Sequence, residues 1–150
     1  MHYLLAVMVP SAVLEIDSDA VDEYVHGVMA PYDVERDNAP DPDEIDPDGR
    51  WDWYQIGGRW DGAFAMDEPQ PAAAVPAGVT SDEVARNLIS AENWNRRLEH
   101  GGPVTHALLD NRGQWHEAAG NDDDWRDALT ALVNRHVGTD HFALIVDYHY

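Results

Sequence analysis

The sequence predicts an α+β domain: a ferredoxin-like β-α-β-β-α-β core extended by a further β-α-β, with an antiparallel or mixed sheet and helices on one face. Three observations carry this. Short apolar runs stand near both ends of the chain, at Tyr3–Val9 and Phe142–Tyr148. Two segments, 19–29 and 123–137, repeat apolar residues at helical spacing. Clusters of Gly, Pro and Asp punctuate the chain between these segments. The length of 150 residues fits one domain spanning 1–150, and no internal repeat or second linker divides it.

In chain order, Tyr3–Val9 reads as a strand closed by Pro10. Asp19–Met29 reads as a helix, with Val21, Tyr24, Val25 and Val28 on one face and Asp17 or Ser18 as its cap. Pro31 stops it. The acidic, proline-interrupted stretch 33–49 is a loop longer than a connection requires. Trp51–Ile56, a Gly57-Gly58 turn and Arg59–Met66 then read as a hairpin. A second loop, 67–80, leads to Ser81-Asp-Glu, which opens one helix or two short ones reaching about His100. Val104–Leu109 and Gln114–Ala118 form a second hairpin around Asp110–Gly113. Asn121 or Asp122 begins the clearest helix, 123–137, and Asp122-Asp-Asp124 complements its dipole. Phe142–Tyr148, apolar almost throughout, reads as a central strand.

Composition limits function before any motif does. The chain carries 29 acidic residues, nine arginines and no lysine, for a net charge of −20. Phosphate neutralisation needs clustered cations, so direct nucleic-acid binding is excluded. Six tryptophans and a hydrophobic fraction of 44% argue against disorder. The missing lysine fits a high-GC coding bias or salt adaptation, and an acidic coat also fits a mimic of nucleic acid. There is no cysteine, which removes disulfides, thiolate metal sites and thiol nucleophiles. No basic leader opens the chain and no apolar window reaches about 18 residues. The expectation is a cytoplasmic protein without membrane contact.

Trp51-Asp-Trp-Tyr-Gln-Ile-Gly-Gly-Arg-Trp60 is the most unusual stretch. Asp52, Trp53, Tyr54, Gly57, Gly58, Arg59 and Trp60 are its candidate ligand-binding residues. The glycines allow close backbone approach, Arg59 offers a planar donor fork, and the aromatic faces can stack on a ring. Together they suit a small, planar, anionic, nucleotide-like ligand. The plainer alternative is a glycine hairpin with cross-strand aromatic packing and an Asp52–Arg59 ion pair. The segment matches neither a Walker loop nor a dinucleotide fingerprint.

This string, with His2-Tyr3 near the start, Pro31-Tyr32 before the acidic loop and Val146-Asp-Tyr-His149 at the end, resembles small proteins of actinobacteria and their phages. The resemblance implies a high-GC or phage context and no particular reaction. Tyr148 stands where the resemblance leads one to expect a small residue or cysteine, which removes a thiol-based role there.

Asp147 and His149, two apart on a strand, share a face and are the candidate catalytic residues, Asp147 orienting His149 as a general base. If the terminal strands pair, His2 joins them. His2, Asp147 and His149 then form a candidate ligand set for Zn, Mn or Fe, with Asp52 as a fourth group. His106 and His116, on opposite arms of the second hairpin, are a weaker pair. Glu44-x-Asp46-x-Asp48-Gly49-x-x-Asp52-x-x-Gln55 has part of a calcium-loop spacing but lacks an entering helix. No Gly-x-Ser-x-Gly elbow is present.

Three functions remain. The first is a module binding a small anionic ligand around the Trp51–Trp60 hairpin. The second is a small metal-dependent hydrolase or lyase using Asp147 and His149. The third is a phage-type acidic inhibitor mimicking nucleic acid. Six tryptophans also leave room for a homodimer through an exposed sheet face.

Overall fold

The two apolar runs become the centre of the sheet. His2–Pro10 (β1) and His141–His149 (β6) pair antiparallel over their whole length, from His2 opposite His149 to Pro10 opposite His141. Leu5–Val9 and Ala143–Tyr148 are buried without a break. Such continuous burial requires cover on both faces of a strand. The computed structural model describes residues 1–34, 49–65, 76 and 78–150. The calcium-type positions Glu44, Asp46 and Asp48 lie outside these residues, as do Met66 and most of the two expected loops.

The remaining elements follow in chain order. They are α1 (Ser11–Leu14), α2 (Ser18–Met29), β2 (Trp53–Ile56), α3 (Asp82–Arg86), β3 (Leu88–Ser90), α4 (Ala91–Leu98), β4 (Ala107–Leu109), β5 (Trp115–Glu117) and α5 (Asp122–Asn134). The protein is a mixed α+β structure with a six-stranded mixed sheet. The strand order is β2-β6-β1-β4-β5, with β3 also on β6; β1 and β4 run parallel and the other pairs antiparallel. Since β1 flanks the whole of β6 on one side, β2 and β3 share the other, β3 at Phe142–Leu144 and β2 at Val146–His149.

Two expectations are corrected. Helices cover both faces of the sheet, not one. Leu5, Val7, Val9, Leu144 and Val146 pack with Leu14 of α1 and Val21, Val25 and Met29 of α2. Ala6, Met8, Ala143 and Ile145, of opposite parity, pack with Trp94 and Leu98 of α4 and Trp125, Leu129, Leu132 and Val133 of α5. The second correction is to the first hairpin, which the ferredoxin-like order required. Trp53–Ile56 pairs with β6, and Gly58–Trp60 and Ala63–Ala65 are 3-10 turns where a returning strand was expected. The stretch expected to be helical from Ser81 to His100 is two helices separated by β3.

Local signals set the helix starts. Asp17 caps α2 by accepting from Ala20 N–H at 2.7 Å, and Asn121 caps α5 by accepting from Asp124 N–H at 2.8 Å. Ser81 and Ser90 cap α3 and α4. No helix among the described residues is long and apolar enough to cross a membrane.

Gly57 and Gly58 adopt φ of +71° and +53°, and a Cβ at Gly58 would stand 2.6 Å from both Cβ and Oδ2 of Asp147. Gly58→Ala is therefore expected to lower stability by at least about 2 kcal/mol, from strain added to overlap with a buried carboxylate. Gly27, inside α2, has nothing within 4 Å of its Cβ position. Gly27→Ala should raise stability by about 0.5–1 kcal/mol. Urea denaturation of both variants checks the contrast, and effects of the same sign would contradict it.

Candidate functional site

Register assembles the site. His2 faces His149 across β1 and β6, and Trp53 faces His149 across β2 and β6. Asp147, two residues back along β6, therefore shares a face with all three. Asp147 is 2% exposed. Its Oδ1 and Oδ2 lie 2.9 and 3.1 Å from His2 Nδ1, and Oδ2 also accepts from the Arg59 backbone N–H at 2.9 Å. That second bond exists because two glycines let the chain press against β6.

A second imidazole–carboxylate pair stands beside the first. His149 Nδ1 lies 2.8 Å from Asp52 Oδ1, and the Met1 amino group donates to His149 Nε2 at 2.9 Å. The His2 and His149 rings are 5.3 Å apart, edge to face, and His2 meets the Trp53 ring at 5.9 Å. Asp147 thus does not orient His149, as sequence spacing suggested. It holds His2, and Asp52 holds His149. Each carboxylate meets an imidazole from another strand or its flank: Asp147 is reached diagonally by His2 of β1, and His149 by Asp52, the residue before β2.

The candidate ligand-binding residues divide. Asp52, Trp53, Gly58 and Arg59 belong to this sheet end. Trp53 is 46% exposed, and the exposed Arg59 side chain makes no hydrogen bond or ion pair among the described residues. The expected Asp52–Arg59 ion pair is absent there, because Asp52 turns to His149. Tyr54 lies on the opposite face, with its ring 4.9 Å from Trp51 and its hydroxyl 3.4 Å from His26 Nδ1. Burial, reinforced by the charge of Asp22, raises its hydroxyl above the usual phenol range. Trp51 donates to the Met29 carbonyl at 2.8 Å, and Trp60 packs into the core beneath α4 and α5. Gly57 packs on Asn87. One aromatic pocket built from the whole segment is therefore not formed.

Among the described residues no group of three or more His, Asp or Glu is placed to hold a metal ion. His2, Asp147 and His149 are brought together, but as hydrogen-bonded pairs in which both Nδ1 atoms face carboxylates. His106 and His116 do not pair either. His116 Nε2 lies 2.9 Å from Asp110, while His106 stacks on Tyr3 at 4.6 Å and stands 3.8 Å from Glu117. Burial works against the Asp110 carboxylate, yet His116 and the amides of Gln114 and Arg112 outweigh it and hold its pKa below the usual range.

Sequence reasoning missed Asn87. Fully buried, it donates from Nδ2 to Asp61 and to the Glu83 carbonyl, each at 2.7 Å, and accepts from Gly62 N–H at 2.9 Å. Its own carbonyl accepts from Ile145 N–H, while the Ile145 carbonyl accepts from Gly57 N–H. Asp61 in turn receives Arg86 Nε at 2.8 Å on both oxygens, and Arg97 donates to the Phe64 carbonyl. Asn87 falls within a stretch that reads as helix, where an asparagine gives no sign of such a role.

Comparison of the chain with family models, curated proteins and solved structures gives no match.

Two measurements follow. Asn87→Ala leaves Asp61 and the Gly62 amide without their partner and is expected to cost at least about 2 kcal/mol; a loss below about 0.5 kcal/mol in chemical denaturation would contradict this. His136 gives a pH dependence. It is 2% exposed, with Nδ1 2.8 Å from the Leu132 carbonyl and Nε2 accepting from Asn111 N–H at 3.2 Å, an arrangement only the neutral ring satisfies. Burial, the leading cause, lowers its pKa below the usual 6.5. The unfolded chain then binds a proton that the native state refuses, so stability falls as pH drops below about 6.5. In His136→Gln the loss between about pH 7 and pH 5 should be shallower, as read by urea denaturation at each pH. An unchanged slope would remove His136 as its source.

Proposed function

We propose that the end of the sheet around His2 and Asp147 is an acid–base site, and that the protein is a small hydrolase or lyase acting on an anionic substrate. The observation that carries this reading is the environment of Asp147: a nearly fully buried carboxylate with both oxygens on one imidazole and a backbone amide behind it. Burying a carboxylate is costly, and this one is compensated by groups that fix the ring of His2. With Nδ1–H donated to Asp147, Nε2 carries the lone pair, and the carboxylate stabilises the imidazolium formed when Nε2 takes a proton. In hydrolysis His2 would take that proton from the attacking water and return it to the leaving group. The guanidinium of Arg59, unpaired among the described residues, supports an anionic substrate group, and the exposed ring of Trp53 supports an apolar or planar portion beside it.

A second reading is capture of an anionic ligand without turnover, favoured by Trp53 and Arg59 themselves. A panel of small chromogenic carboxylic and phosphoric esters separates the two, assayed alongside thermal shifts with the corresponding acids. Under the catalytic reading His2→Gln lowers turnover by about 10²–10⁴-fold, Arg59→Ala acts chiefly on KM, and Tyr54→Phe has no effect. Turnover indifferent to His2→Gln would overturn catalysis here. Stabilisation by an acid, lost in Arg59→Ala and without turnover of any ester, would favour capture.

A further inference from the structure

The same strand ends that carry the imidazole–carboxylate pairs on one face carry tyrosines on the other. Tyr3 and Tyr148 lie directly opposite each other on β1 and β6, one residue out of step with His2 and Asp147 and therefore on the reverse face. There they line a cavity of 290 Å³ with Gly49, Arg50, His106, Glu117 and Tyr150. His106, Tyr3 and Tyr148 form a continuous row across three strands, with centroid spacings of 4.6 and 5.2 Å. These rings occupy one another's faces, so a ligand meets chiefly their edges and polar ends.

Tyr148 is the unusual member. It is 2% exposed, packed edge-on by Trp115 at 5.2 Å, and its hydroxyl has no hydrogen-bond partner among the described residues. It is not one of the polar atoms sealed away without a partner, so its hydroxyl opens into the cavity it lines. A buried phenol lacking a partner is costly unless something in the cavity answers it. Beside it Glu117, an acceptor-only group, lines the same cavity, its Oε1 3.0 Å from Arg50 Nε, which is itself sealed from solvent, while Arg50 Nη1 donates to the Gly49 carbonyl. Burial first, with Glu117 and Tyr3 adding and Arg50 opposing, raises the Tyr148 hydroxyl well above its ordinary range, so it stays protonated and able to donate.

We infer that this cavity binds a small, planar, uncharged ring bearing an N–H beside a C=O, as in an oxopyrimidine or oxopurine base. The ring carbonyl would accept from the Tyr148 hydroxyl, and the adjacent N–H would donate to Glu117. Such an edge engages Glu117 without separating it from Arg50, whereas an anion meets Glu117 and a cation meets Arg50 with the wrong sign. The size agrees, since pockets for small organic molecules begin at about 300 Å³. The site is separate from the one proposed for acid–base chemistry, with the sheet between them.

Calorimetry and Trp115 fluorescence with uridine, inosine and adenosine test the inference. Uridine or inosine should bind saturably and at least tenfold more tightly than adenosine, which lacks the N–H/C=O pair. Tyr148→Phe removes only a hydroxyl without a partner among the described residues and should leave the thermal midpoint unchanged while weakening that binding at least tenfold. Glu117→Gln should weaken it similarly, and His2→Gln, on the other face, should leave it intact. Absence of saturable binding by uridine and inosine, equal binding of adenosine, or binding unaffected by Tyr148→Phe would each overturn the proposal. So would binding that is lost in His2→Gln and kept in Tyr148→Phe.

Discussion

The close approach of Gly57–Arg59 to β6 is the contact on which the rest of the site depends. Three groups of one short turn meet two residues of β6, Ile145 and Asp147. Gly57 donates to the Ile145 carbonyl, the Gly58 Cα faces the Asp147 side chain, and Arg59 N–H reaches Asp147 Oδ2. A Cβ at either glycine would have to displace buried polar atoms, those of Asn87 in one case and of Asp147 in the other. Because the backbone comes this close, the carboxylate can lose water on that side and still be hydrogen-bonded. Its remaining valence is directed at His2.

The architecture around this contact explains why a polar group can sit so deep. β6 is flanked by β1 along its full length and by β2 and β3 on the other side, so its backbone is almost wholly occupied. Helices cover the sheet over Leu5–Val9 of β1 and Ala143–Val146 of β6, where every side chain is apolar. Toward the open end the helical cover gives out, and the alternation of side chains begins to carry chemistry. Even-numbered His2 and odd-numbered Asp147 and His149 stand on one face, with Tyr3 and Tyr148 on the other. A single register thus produces two chemically different surfaces, and a slip of one residue would exchange them.

Much of this was legible in the sequence, and what was not has a physical reason. The terminal strands, the two longer helices and the second hairpin follow from periodicity and caps, and Asn121 and Asp17 act as their residue types suggest. His2, Asp52, Asp147 and His149 were also readable as one cluster, because pairing of the terminal strands brings them together. Their partners were not, since neighbours along one strand and diagonal neighbours across two strands stand at similar spacings, and the tertiary contacts decide which carboxylate meets which imidazole. Gly57-Gly58 misled for a different reason. Paired glycines between aromatic strand residues signal a hairpin, yet here their freedom serves contact with β6. The short β3 inside an apparent helix, Asn87 within it, and the cover on both faces depend on tertiary pairing that no local pattern encodes.

The net charge of −20 acquires a different meaning once the arginines are followed. Arg86 shares its Nε–H between both oxygens of Asp61, Arg97 and Arg126 donate to backbone carbonyls, and Arg50 stands against Glu117. Each of these holds a turn or a chain crossing in place. Arg59 has a backbone amide committed to Asp147 and a guanidinium that meets no partner among the described residues. In a protein with so many carboxylates, the long-range field opposes anions, but that field is screened over about 8–10 Å at ordinary salt. The carboxylates of the same sheet end, Asp147 and Asp52, already face His2 and His149. A guanidinium that meets no partner among the described residues thus stands at a sheet end whose two carboxylates are already hydrogen-bonded to imidazoles, and it is the group there through which an anion can be held at short range.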